Sequence, residues 1–199
     1  MLSTYGWPVL NPPAALDEST LATLLDTHWQ VTVEDFSVPH RDELESALDG
    51  VGVPDHGPYA EATSALVAAH AEPIRRLLAT YDGLAADVDA RPVLTHGEPH
   101  PGNTMLTPHG WKLLDWDTAL IASPERDLWS LDPGDGTWLA AYADATGVRP
   151  RPNLLELYRI RRDLADLAVD VSRFRRPHAR TQNDIASWEF LNALVGRLE

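Results

Sequence analysis

Cysteine is absent from the 199 residues and lysine occurs once, at position 112. The first absence excludes disulfides, thiolate nucleophiles and cysteine-based zinc sites. The second excludes a Walker phosphate loop, which needs lysine after glycine, whereas Lys112 follows Trp111. Two further signatures are missing. Gly50-Val51-Gly52 is followed by Asp55 and Gly134-Asp135-Gly136 by Leu139 where a third dinucleotide-binding glycine would stand. No Gly-x-Ser-x-Gly elbow occurs. No apolar run reaches transmembrane length, and Met1 to Pro8 carries neither a basic nor an apolar leader, so the expectation is a cytoplasmic protein without membrane contact. Positive charge is also scarce. With 16 Lys plus Arg against 30 Asp plus Glu, the net charge of −14 argues against nucleic acid and suits a cationic partner.

What is present reads as alternating helices and short strands, without repeats or low-complexity tracts. Leu16 to Trp29 has helical apolar spacing, and Val31 to Phe36 alternates as a strand with no neighbour before residue 93. Arg41 to Asp49 reads as a short helix stopped by Gly50. Pro58 opens a long helix, Tyr59 to Tyr81, that Pro73 should kink. Pro92 to Thr95 is a buried strand. Thr104–Thr107 and Trp111–Asp115 form a hairpin, and a symmetric three-residue turn would set Asn103 opposite Asp115. Short helices follow from Pro124 and Gly136. Pro152 to Phe174 has a continuous apolar seam, Leu157, Ile160, Leu164, Leu167, Val171 and Phe174, and Asp184 to Leu198 makes a last helix with Ile185, Trp188, Leu191 and Leu194 inward.

Chemistry concentrates in Leu94-Thr95-His96-Gly97-Glu98-Pro99-His100-Pro101-Gly102-Asn103 and, after the hairpin, Leu113-Leu114-Asp115-Trp116-Asp117. Polar groups this dense among apolar strands mark an active-site loop. His96-x-Glu98-x-His100 contains zinc-competent ligands, but Pro99 and Pro101 deny it the helix of an H-E-x-x-H site, and the deaminase pattern lacks its cysteines. Phosphoryl transfer uses all the residues: a carboxylate to orient the attacking hydroxyl, and an amide with a carboxylate to hold magnesium on nucleotide phosphates. Glu98, Asn103 and Asp115 supply that set.

His-Gly-Glu-x-His-x-x-Asn, then Leu-Asp-Trp-Asp and Glu-Arg-Asp-Leu-Trp, resembles the C-terminal lobe of the aminoglycoside phosphotransferase and choline kinase family, a branch of the protein-kinase-like fold. Tyr158-Arg159-x-Arg161-x-Asp163-Leu164-Ala165-Asp166 is most similar to its spectinomycin-phosphotransferase-like branch. The resemblance implies an α+β fold: a mostly helical kinase-like C-terminal lobe with a catalytic hairpin over residues 38–199. Residues 1–37 would be the remnant of an N-terminal lobe that is otherwise largely absent. It further implies ATP as co-substrate, magnesium on Asn103 and Asp115 with Asp117 as a second contact, and Glu98 as the base. His96 and Asp127 would brace the loop. The acceptor would be the hydroxyl of a small cationic molecule near Asp163 and Asp166.

Two departures qualify these expectations. The family normally has Asp at Glu98, and one added methylene displaces a carboxylate by about an ångström, enough to cost on the order of a hundredfold in rate unless the backbone compensates. The phosphate-gripping lysine of an N-terminal lobe also has no counterpart, because Lys112 lies in the hairpin. The rival reading is therefore a truncated, non-catalytic binding module, and a third is a chain completed by a partner that supplies the lobe. Other features have plain readings. Arg159–Asp163 and Arg162–Asp166 are spaced as salt bridges on a solvated helix face. Arg173, Arg175, Arg176 and Arg180 read as surface, and Trp111, Trp129, Trp138 and Trp188 as packing.

Overall fold

The computed structural model describes residues 32–52, 57–88, 91–108 and 110–198. The expected helix Leu16–Trp29 lies outside them. Along the chain come β1 (Thr32–Val33), α1 (Arg41–Leu48), α2 (Ala60–Ala69), α3 (Ala71–Ala86) and β2 (Val93–Thr95). Next are the hairpin strands β3 (Thr104–Thr107) and β4 (Gly110–Leu113), then β5 (Leu120–Ala122). Four helices close the sequence: α4 (Glu125–Leu131), α5 (Thr137–Thr146), α6 (Pro152–Phe174) and α7 (Gln182–Val195). Single 3-10 turns at Pro101–Asn103 and Trp116–Thr118 flank the hairpin. The class is the expected one, α+β and mostly helical with a hairpin. No helix among the described residues is long and apolar enough to cross a membrane.

The chain divides into two compact units. One takes in the chain up to Asp35 and Val88–Tyr158; the other takes in Phe36–Asp87 and Arg159–Glu199. In the first, β5 lies between β1 and β2, parallel to β1 and antiparallel to β2. The N-terminal strand therefore pairs late in the chain, with Thr32 opposite Leu120 and Val33 opposite Ile121. It is shorter than the alternation of residues 31–36 suggested, because Phe36 turns into the left-handed region at φ 57°. On β2, Val93 and Thr95 are buried and Leu94 less so, the period-two pattern of a strand against a core.

The hairpin differs from expectation by one residue. Thr107 pairs with Gly110, Leu106 with Trp111, Met105 with Lys112 and Thr104 with Leu113. The connection is thus one residue shorter than a symmetric three-residue turn, and Asn103 faces Leu114, whose N–H donates to the Asn103 carbonyl at 2.8 Å. Because side chains alternate with period two, that slip removes the direct Asn103–Asp115 pairing.

The second unit is built on helices. Leu164, Leu167, Val171 and Phe174 of α6 are fully buried, with Ile160 nearly so, as the three-and-four spacing requires. Leu44, Val67, Ile74, Leu191, Leu194 and Val195 complete this core. Trp188 is only half-buried, stacked on Tyr59 at 5.3 Å, and Ile185 is also half-buried. The long helix expected over 59–81 is two helices, broken at His70 (φ −113°, ψ 23°). Pro73 is the cause. Its ring would clash with the carbonyl four residues back, so the chain restarts and places Pro73 in a first turn, where no N–H is needed. Gly83 does not end α3, which continues to Ala86.

Arginines trim the surface of this unit. Arg41 forks onto Asp82 at 2.5 and 2.7 Å, and Arg176 meets Glu43 at 2.6 Å. Arg173 reaches Asp184, Arg175 the Val51 carbonyl, and Arg180 the Tyr59 hydroxyl and ring. The four arginines of the sequence cluster are thus each tied down structurally.

Candidate active site

The loop 96–103 is held from three directions, all within the first unit. α4 starts at Glu125, after Pro124 at the N-cap, and Asp127 lies in its first turn. Its two oxygens accept the backbone N–H groups of His96 (2.8 Å) and Gly97 (2.7 Å). Burial pushes the Asp127 carboxyl above the usual carboxylate range, and the two amides with the neighbouring Arg126 charge oppose that shift. A buried acid otherwise costly to ionise is thereby matched to two donors.

His96 is fully buried. Its Nδ1 faces the Glu98 N–H at 3.2 Å and must accept, so the proton sits on Nε2, which donates to the Leu114 carbonyl at 2.6 Å. The ring lies edge-on against Trp116, 4.8 Å between centroids. The imidazole thus joins the loop to the chain just before Asp115. Thr118 adds a second tie, its hydroxyl donating to the His96 carbonyl at 2.7 Å. His100, whose role the sequence left open, accepts the Gly102 N–H at 3.1 Å and caps the turn at Pro101.

Glu98 is exposed, and both of its backbone groups are fixed: the N–H by His96, the carbonyl by Asn103 Nδ2 at 2.9 Å. That bond settles the amide orientation, since Nδ2 must be the donor to a carbonyl, and it leaves Oδ1 as the group able to bind a cation. Asp115 and Asp117 are exposed. Asp115 sits in the left-handed region (φ 63°, ψ 65°), one of the few places outside glycine where Asp is tolerated, and turns the chain from β4 into the 3-10 turn. The hairpin register does not bring Asn103 and Asp115 face to face; His96, bonded to both Glu98 and Leu114, is what links their segments.

Glu98, Asn103, Asp115 and Asp117 are hard oxygen donors, the chemistry that magnesium prefers. No group of three or more His, Asp or Glu among the described residues could hold a metal by itself. Oxygen donors of this kind suit magnesium, which takes one or two carboxylates and completes its shell with waters and phosphate.

Sequence reasoning missed the floor beneath the loop. Arg126 is buried; its guanidinium donates to Thr95 Oγ1 and to the Thr118 carbonyl, each at 2.8 Å, and lies 3.5 Å from buried Glu34. Gly97 has φ 96°, and a Cβ there would run into the Arg126 guanidinium. Arg126 stands within Glu-Arg-Asp-Leu-Trp, but a charged residue at a helix start gives no sign in the sequence that it is buried.

Asp163 and Asp166 belong to α6 in the second unit. Asp166 pairs with Arg162 at 2.9 Å, whereas no ion pair joins Arg159 to Asp163 among the described residues. Burial raises the Asp163 carboxyl above its ordinary range. Asp170, two turns beyond Asp163, is buried, with Arg173 at 3.9 Å. Of the tryptophans, Trp111 is 40% exposed and so packs little.

Residues 52–164 match the phosphotransferase enzyme family, APH. Protein StrN of Streptomyces griseus is 33% identical over 173 residues, 81% of this chain and 50% of StrN. The chain thus spans about half the length of that relative. In fold it is similar to spectinomycin phosphotransferase APH(9)-Ia in complex with ADP and spectinomycin, with a TM-score of 0.65 and 21% identity over 85% of this chain and 57% of that one. The AMP-bound complex of the same enzyme gives a TM-score of 0.63 at 21% identity, over 85% and 58% of the two chains. These likenesses agree with the resemblance read from the motifs. The match spans β2, the 96–103 loop, the hairpin and Asp127, and on it the chain belongs to the phosphotransferase enzyme family.

Proposed function

We propose that this chain carries the base and metal-binding half-site of a phosphotransferase that moves the γ-phosphoryl group of ATP to a hydroxyl of a small, cationic molecule. The observation that carries this reading is the loop geometry. Asp127 fixes the amides of His96 and Gly97, His96 and Asn103 fix the backbone of Glu98, and the acidic and amide side chains that remain exposed are of the types the reaction needs. Family membership and the ADP and AMP bound by the structural relative support the nucleotide.

In this reading the Glu98 carboxylate orients the acceptor hydroxyl and takes its proton as the new oxygen–phosphorus bond forms and the bond to the ADP bridging oxygen breaks. Asn103 Oδ1 and Asp115, with Asp117 beside them, would hold magnesium. When bound, the ion supplies positive charge to the phosphate oxygens. Asp127 and His96 keep the loop in one conformation, so that little reorganisation is left to the moment of reaction. The net charge of −14 supports a cationic acceptor in sign.

The test uses magnesium-ATP with spectinomycin, the compound bound by the structural relative, as acceptor probe. Transfer of labelled phosphate that is lost in Glu98→Gln and Asp115→Ala supports the proposal. Saturable magnesium-ATP binding without transfer would replace it with the binding-module reading, and the absence of both would overturn it.

A further inference from the structure

We infer that Arg126 is a positioning residue that locks the Glu98 loop to the Asp115–Asp117 segment, with Glu34 as its counter-ion. The inference deepens the phosphotransferase reading and rests on it. Three stretches of chain, at residue 34, residues 95–97 and residue 118, meet at this one guanidinium. One amine group donates to Thr95 Oγ1 on β2, directly before the loop. The other donates to the Thr118 carbonyl, which closes the turn carrying Asp117. Nε faces Glu34, just beyond β1. Gly97 passes so close above the plane that any side chain there would overlap it.

The consequence is mechanical. Thr118 is shared: its carbonyl accepts from Arg126 and its hydroxyl donates to the His96 carbonyl. Thr95 is shared as well, accepting from Arg126 and donating to the Leu120 carbonyl on β5 at 2.9 Å. A shift of the metal-binding segment is therefore transmitted through Arg126 to the start of the loop. A planar fork holds both acceptors at once in fixed directions; the three donors of an ammonium rotate and fix neither. Glu34 keeps the buried cation paired, so β1 contributes to the site through this contact.

Arg126→Lys is the informative variant, because it retains a charge for Glu34 while losing the fork. Glu34→Gln is the second, leaving the fork but removing its counter-ion. Both are compared with the native chain by steady-state transfer from magnesium-ATP to spectinomycin, by thermal melting, and by amide hydrogen exchange at His96 and Gly97. The expected result for Arg126→Lys is a fall in kcat on the order of a hundredfold with KM for ATP within about twofold, and faster exchange at both amides while the melting curve stays cooperative. Glu34→Gln should show a smaller fall of the same kind. If the native chain transfers phosphate and Arg126→Lys matches it in kcat and exchange, the positioning role is overturned while the phosphotransferase reading stands. Losses in proportion to the unfolded fraction would make Arg126 a stabilising residue only and overturn the role as well. A native chain that transfers nothing, with exchange still faster in the variant, overturns the phosphotransferase reading and with it any catalytic positioning.

Discussion

The two units of this chain solve opposite problems. The helical unit buries a hydrocarbon seam and, Asp170 and Asp184 apart, leaves its charges at the edge, in ion pairs such as Arg41–Asp82 and Arg162–Asp166. The loop-bearing unit buries charge: Arg126, Glu34 and Glu125 are inside, with the neutral imidazole of His96 near them, and its acidic candidates for chemistry are outside. Burying an ionised group is costly unless its partners are fixed, and that cost makes the loop conformation specific rather than merely stable. Mutations should therefore read out differently in the two units.

The largest effect on stability belongs to the seam. Leu164→Ala removes a fully buried side chain from α6 and should cost about 2–5 kcal/mol in denaturant unfolding, with magnesium-ATP affinity unchanged in the fraction that remains folded. A matching loss of affinity would break the comparison, since the site would then depend on the helical core.

Asp127→Asn should cost less in stability and more in function. An amide can accept from only one of the two loop N–H groups as well as a carboxylate accepts from both, so about 1–3 kcal/mol is at stake. Transfer activity should fall on the order of a hundredfold, with hydrogen exchange at His96 and Gly97 accelerated. Native-like exchange at these two amides would show that Asp127 is not what holds the loop.

Acid should separate the units further. Asp127 is raised in the folded chain and ordinary in the unfolded one, so its protonation favours the folded state; that contribution is complete below the ordinary value and lost as pH rises through the folded one. Glu43, held down mainly by the Ser172 hydroxyl and also by Arg176, runs the other way, as do Asp82, held down by Arg41, and Asp184, held down by Thr181. Their contributions are present above the usual carboxylate range and lost as pH falls through the lowered folded values. As pH falls, transfer activity should be lost first, as Asp127 takes up a proton above the usual carboxylate range, and unfolding of the helical unit should follow below that range. Simultaneous loss of both, followed by NMR, would contradict the separation.

The smallest effect is expected where charge is exposed. Asp82→Ala breaks a well-aligned pair whose partners are 32% and 50% exposed, and should change stability by less than about 1 kcal/mol at moderate salt. A larger loss in a denaturant titration would mean that these surface clips carry more of the fold than their exposure implies.

The same contrast explains what could be read from sequence. α6 was legible to the residue, Pro152 to Phe174, because a seam of alternating threes and fours admits one period only. The side chains for chemistry were legible as types and spacing. Their arrangement was not: hairpin register depends on a turn one residue shorter than symmetry suggested, and the slip takes Asn103 away from Asp115. The break at His70 was displaced from Pro73 because the clash falls four residues upstream of the proline. Arg126 and Glu34 stand 92 positions apart, and neither their burial nor their meeting leaves a local trace. Periodic burial of apolar groups announces itself in sequence; long-range burial of charge does not.

The proposed nucleotide half-site sets its metal on Asn103, in the loop fixed by Asp127, and on Asp115, beyond the hairpin. Calorimetric titration of the native chain and of Asp115→Asn with magnesium-ATP tests it most directly. Saturable binding by the native chain that requires magnesium and is lost in the variant is the expected result; a flat native trace, or equal affinity in both, would rule the half-site out.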